Sequence, residues 1–179
     1  MPHFILWTSS PEWLIALEGL MMGSRCGNID PGVVLYLLDE KKLSVKETTK
    51  LLYSESGMLG VSGISSDLRE LESSSDPHAK EAIDLFCYKA ARELLALCTI
   101  LKGLDAIVFT AGIGEHSYSI REKICDWLLW LGISIDLNAN KAHADIISDK
   151  NSKIMVAIIP TNEELMIVNH VINIIEKKV

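Results

Sequence analysis

Four clusters in this chain carry residue types suited to phosphate chemistry. The stretch Asp105–Ile120, DAIVFTAGIGEHSYSI, joins an apolar run to two close glycines. Ala106-Ile107-Val108-Phe109 reads as a buried strand, Gly112-Ile113-Gly114-Glu115 as a tight turn, and a helix pattern begins near Ser117. Glycines let a backbone approach a ligand, and the free N–H groups of a first helical turn face it, as at many nucleotide sites. The same spacing also suits a plain strand-to-helix turn, so both readings are open. Glu115 and His116 could bond a ligand or cap the helix.

Gly23-Ser24-Arg25-Cys26-Gly27-Asn28 sets an arginine between glycines in a polar loop. There Arg25 can offer its planar fork to a phosphate or carboxylate, or be an ordinary surface residue on a solvated turn. In Ser66-Asp67-Leu68-Arg69-Glu70, Asp67 could cap a helix with Arg69 in its first turn. Arg69 could then stack on or bond a nucleotide, with Asp67 bonding a base or ribose. The plainer alternative is a helix cap plus a local ion pair of Arg69 with Glu70 or Glu72. Pro160-Thr161-Asn162-Glu163-Glu164 lies between a strand and a helix. One glutamate could hold Mg²⁺ directly or through water, or Thr161 or Asn162 could simply cap the helix. His3, His78, His143 and His170 are isolated, without metal-ligand spacing, and no Ser–His–Asp pattern can be placed.

The elements that must position these clusters follow from caps and periodicity. Asp30 with Pro31 predicts a helix to about Lys41, and Ser44-Val45-Lys46-Glu47 is a capping box opening a helix to about Ser54. Gly57–Gly63 reads as a glycine-rich loop, followed by a short helix Ser66–Glu72. Asp76-Pro77 predicts a long helix to Lys102, with Ile83, Phe86, Ala90, Leu94, Leu97 and Ile100 on one apolar stripe and Gly103 as its stop. Next come a strand Asp105–Thr110, a helix Ser117–Leu131 with Trp127 and Trp130 packing one face, and a short strand Ile133–Leu137. A strand Lys153–Ile159 and a last helix Glu163–Glu176 complete the chain. Strand–helix alternation implies an α/β layer with at least part of the sheet parallel.

Composition narrows the function classes. A chain of 179 residues, 49% apolar, can build a core. The net charge of −7 and the lack of a sustained basic block argue against nucleic acid as the main partner. No apolar run reaches transmembrane length, and Cys26, Cys87, Cys98 and Cys125 lack CxxC spacing; the expectation is a cytoplasmic protein with reduced thiols and no membrane partner.

Taken in order, LEGLMMGSRCGNIDPGVVLYLL, SGMLGVSGISSDLRELE, DAIVFTAGIGEHSYSIRE and IIPTNEELMIV resemble the C-terminal half of the acetate kinase family, which includes propionate kinases. The resemblance runs from about Leu17 to the end; residues 1–16 do not match, and residues 17–179 are expected to form a nucleotide-binding and dimerisation domain. It implies a ribonuclease-H-like α/β fold of the acetate and sugar kinase, Hsp70 and actin superfamily. It also implies phosphoryl transfer between ATP and a short-chain carboxylate, giving ADP and an acyl phosphate, with Mg²⁺. By the same resemblance Arg25 stabilises the transferring phosphoryl group. Asp67 and Arg69 contact nucleotide, Gly112, Ile113, Gly114, Glu115 and His116 pack on the adenosine, and Glu163 is associated with Mg²⁺. A homodimer is implied, and a separate N-terminal polypeptide is a possible partner. The family's N-terminal domain, with its catalytic aspartate and substrate arginine, has no counterpart here, so the chain is expected to be a truncated form, inactive alone. The alternative is a non-catalytic nucleotide-binding or dimerisation module. Four positions depart from the family pattern: Ala16 in place of a pocket proline, Cys26 and Asn28 where the family commonly has Arg-Ser-Gly-Asp, and His116 in place of an asparagine. Leu20, Met21 and Met22 are expected near an exposed interdomain face that favours association.

Overall fold

Capping chemistry sets most helix starts. A computed structural model describes residues 17–176; the segment 1–16, including Ala16, lies outside the described residues. Asp30 accepts from Gly32 N–H and opens α1 (Pro31–Asp39). Ser44 and Glu47 form the expected reciprocal capping box of α2 (Val45–Ser54). Asp67 caps α4 (Leu68–Ser73), and Asp76 with Pro77 opens α5 (Pro77–Leu101). α5 ends on Lys102 in the left-handed region, φ 59°, one residue before the predicted stop at Gly103.

The segment Gly57–Gly63 is not a loop but helix α3 (Gly57–Ser62) closed by Gly63 at φ 65°. Its glycines serve the two ends and a close contact, so their density misleads as a loop signal. The described residues fold as two compact units, one running up to Leu104 and including Lys123–Leu128, the other Asp105–Glu122 with the chain from Leu129 onward. In the first, α3 and α4 pack on α5. Ala79 and Ala82, both fully buried, let the neighbouring backbones come close, while Met58, Leu68, Leu71, Ile83 and Phe86 fill the core. Burial along α5 ends at Ala91; the predicted stripe continues in sequence, but Ile100 is exposed. Met21 is buried rather than exposed.

The second unit is built on two parallel strands, β1 (Ala106–Phe109) and β2 (Met155–Ile158), with Ile107 opposite Val156 and Phe109 opposite Ile158. The expected parallel pairing is therefore present. Between them lie α6 (Ala111–His116), α7 (Tyr118–Asp126), a 3₁₀ turn Leu129–Leu131 and α8 (Leu137–Lys141). The predicted helix to Leu131 stops at Asp126; Trp127 and Trp130 lie beyond it and are largely exposed, with Trp127 edge-on to Tyr88 at a centroid distance of 5.3 Å. No strand forms over Ile133–Leu137; Ile135 makes a single antiparallel bridge to Ser148, because Asp136 turns the chain into α8 by accepting from Asn138 and Ala139 N–H. The last helix, α9 (Glu163–Glu176), has the predicted bounds. It exposes Leu165, Met166, Ile167, Val168, Val171, Ile172, Ile174 and Ile175.

Candidate functional site

Arg25 lies on a loop tied backbone-to-backbone to the start of α3. Ser56, Met58 and Leu59 N–H donate to the carbonyls of Ser24, Met22 and Gly23, at 2.9–3.0 Å. The first donors of α3 are thus used by the loop. Gly57 makes this approach possible: its φ is 64°, and a Cβ there would fall 2.2 Å from the Met22 carbonyl oxygen. A second tie closes the loop from the other side, with Asn28 N–H donating to Gly19 O and Gly19 N–H to Asn28 Oδ1. An aspartate at position 28 would accept the same bond, so Asn28 preserves the loop. The Arg25 side chain itself is exposed, and among the described residues it forms no ion pair.

The Asp67–Arg69 cluster adjoins this loop. A Cβ on Gly23 would sit 2.7 Å from the Ser66 carbonyl oxygen, so the two motifs touch through a position that only glycine fits. Asp67 Oδ1 accepts from Arg69 N–H at 2.9 Å and from Arg69 Nε at 3.1 Å, while Oδ2 accepts from Nη2 at 2.6 Å. The arginine is paired with its own cap residue, Asp67. The Arg69 side chain and then its backbone N–H hold the Asp67 carboxyl down to about 2. The guanidinium remains 88% exposed, a flat cationic face in a fixed orientation.

Gly112–His116 forms the short helix α6 rather than a tight turn, with Ala111 at φ 59° making the change of direction. The two glycines differ. A Cβ on Gly114 would lie 3.3 Å from the Phe109 carbonyl carbon, so packing on the end of β1 disfavours a side chain there. A Cβ on Gly112 would meet nothing within 4 Å, and Gly112 is exposed, as is His116; Ile113 is half-buried. The Glu115 carboxylate accepts from Thr161 N–H and Thr161 Oγ1, both at 2.9 Å. These bonds, the backbone one first, pull its pKa below the usual glutamate value. Glu115 thereby ties the third cluster to the fourth, where Asn162 Oδ1 accepts from Leu165 N–H and serves as the cap of α9. The side chain of Glu163 lies outside the described part of the structure. Among the described residues no group of three or more His, Cys, Asp or Glu gathers as a metal cage. Mg²⁺ that arrives on nucleotide phosphates needs only one or two protein carboxylates, which a lone glutamate satisfies.

The clusters thus assemble in pairs: Arg25 with Asp67 and Arg69 in the first unit, Gly112–His116 with Thr161 in the second. A surface groove of about 500 Å³ along α5, lined by Pro77, Lys80, Glu81, Asp84, Leu85 and Tyr88, contains none of these residues.

The sequence model of the Acetokinase family matches residues 12–169. The chain belongs to the acetokinase family, whose members are phosphotransferases. It is 58% identical over 158 residues to an acetate kinase of Rhodopseudomonas palustris, covering 87% of this chain and 40% of that protein. An acetate kinase of Methylocella silvestris is 49% identical over 172 residues, covering 96% and 43%. Among solved structures, the acetate kinase of Porphyromonas gingivalis superposes with a TM-score of 0.83 at 38% identity, over 89% of this chain and 41% of that one. A propionate kinase from Francisella tularensis gives 0.79 at 41% identity, over 84% and 40%. This acetokinase chain has the fold of those kinases, within the acetate and sugar kinase, Hsp70 and actin superfamily. It spans about two fifths of the length of the relatives it matches.

One functional candidate lies within the third motif but was given no role by it. Arg121 is fully buried, and its guanidinium reaches the carbonyls of Gly114 and Glu115 at 2.8 and 2.9 Å. The signal was available: Arg121 shares the i, i+3, i+4, i+7 spacing of Ile124, Cys125 and Leu128, so a charge occupies a core position of α7.

Proposed function

We propose that this chain carries the nucleotide side of an acetate/propionate kinase-type active site, for transfer of a phosphoryl group between ATP and a short-chain carboxylate. Arg25 carries the reading. Its guanidinium is exposed and cationic on a loop whose backbone is committed to α3 and to Gly19, which suits a group that must hold charge on a transferring phosphoryl. Asp67 and Arg69 contact the nucleotide, the carboxylate orienting the arginine's flat face toward it. Gly112, whose size neither the backbone nor the packing of this chain requires, leaves room for the adenosine beside Ile113, Gly114, Glu115 and His116. Glu163 holds Mg²⁺ together with the phosphates. The ion would supply charge neutralisation at the phosphoryl oxygens. Residues 17–179 act as a nucleotide-binding and dimerisation part in the cytoplasm, and by themselves bind nucleotide without appreciable turnover.

Calorimetric titration of the purified chain with Mg-ADP tests the reading. Saturable binding is expected, weakened about tenfold or more by Arg69→Ala, as loss of one charge-assisted contact predicts. Absence of saturable binding, or binding indifferent to Arg69, counts against it. A second reading, a non-catalytic association module, is favoured by the apolar exposure of α9; it predicts self-association without nucleotide binding.

A further inference from the structure

The geometry points to Arg121 as the positioning residue that holds the glycine segment in its ligand-receiving form, an inference that rests on the nucleotide reading for what the segment receives. Arg121 is fully buried, so it is not itself a contact for a ligand. Its donors reach two other elements of the second unit, α6 and α8, and the turn that follows α8. Nη1 bonds the carbonyls of Gly114 and Glu115 at 2.8 and 2.9 Å, Nε bonds Asn140 Oδ1 at 2.7 Å, and Nη2 bonds Asn140 O at 2.8 Å. Nη2 also lies 3.2 Å from His143 Nδ1, which is 2.8 Å from Glu115 O. Asn140 is itself fixed, with Nδ2 donating to Tyr118 O at 2.9 Å.

Two features give this network its direction. The Gly114 and Glu115 carbonyls belong to the last turn of α6, where backbone acceptors lack intrahelical donors and a cation is favoured. A buried guanidinium is tolerated only when its donors are satisfied, so any shift of these two carbonyls leaves an expensive charge behind. The segment is therefore held from its backbone. Its one charged side chain, Glu115, is left to reach Thr161, so Arg121 fixes the start of α9 at one remove.

Amide hydrogen exchange on the full chain without nucleotide, alongside Mg-ADP titration, tests this. In Arg121→Lys, which keeps the charge but loses the planar fork, exchange of amides 114–117 is expected to quicken about tenfold or more, with the amides of Ile147 and Ile158 in the strand layer unchanged. His143→Ala, at an exposed position, is a gentler change of the same network and is expected to act in the same direction with smaller size. Mg-ADP affinity should fall with the exchange effect, by about tenfold in Arg121→Lys. Unchanged exchange at 114–117 in both variants, or quickening spread evenly over the strand layer, overturns the inference. If the unsubstituted chain binds no Mg-ADP, the nucleotide reading fails, and the exchange result still decides whether Arg121 positions the segment.

Discussion

At the scale of single residues, Glu115 and Gly57 show how little freedom the candidate motifs retain. The Thr161 bonds depress the Glu115 pKa, so the folded state favours the carboxylate. A depressed folded value means that this contribution is present above the ordinary glutamate range and is lost as pH falls through the folded value. Protection of the Thr161 amide, followed by NMR, should therefore persist to a pH below the ordinary glutamate pKa and then collapse, and Glu115→Gln should abolish that acid transition. Gly57→Ala sets a methyl group against the Met22 and Arg25 carbonyls in a left-handed conformation. A loss of roughly 1–3 kcal/mol or more is expected in denaturant unfolding, with the Arg25 loop the first segment to lose amide protection.

At the scale of elements, four capping residues were legible because a cap is a local event, whereas the cap at Asp136 was hidden in an apparent strand. Asp30, Ser44, Asp67 and Asp76 each bond an N–H two or three residues ahead. What depends on neighbours was less legible. The stripe of α5 has helical period throughout, but α3 and α4 bury only its residues up to Ala91. Leu71 on α4 is 1% exposed. Leu71→Ala should cost about 2–5 kcal/mol by equilibrium unfolding, while the same change at exposed Leu35 on α1 should cost well under 1 kcal/mol.

At the scale of the whole molecule, the exposed apolar residues are concentrated on α9 rather than around Met21. Among the described residues no helix is long and apolar enough to cross a membrane, and a contiguous exposed apolar face of this kind favours association. Sedimentation velocity is expected to show concentration-dependent association of the chain. Val171→Glu with Ile175→Glu should shift it toward monomer, while leaving the helical signal of the fold in place. Association unaffected by these changes would place the contact elsewhere.

By itself the sequence determined the family, the starts of α1, α2, α5 and α9, the presence of parallel strand pairing and the four clusters, since all of these are written in local residue order and period. Only the tertiary structure decided that the clusters join in pairs, Gly23 against Ser66 and Glu115 against Thr161. It alone turned two glycine-rich stretches into the helices α3 and α6, and gave Arg121 a buried role behind the second. The reason is physical. A cap or a period is satisfied within a few residues, whereas the partner of a glycine's bare face or of a buried guanidinium lies elsewhere in the chain and exists only once the chain has folded.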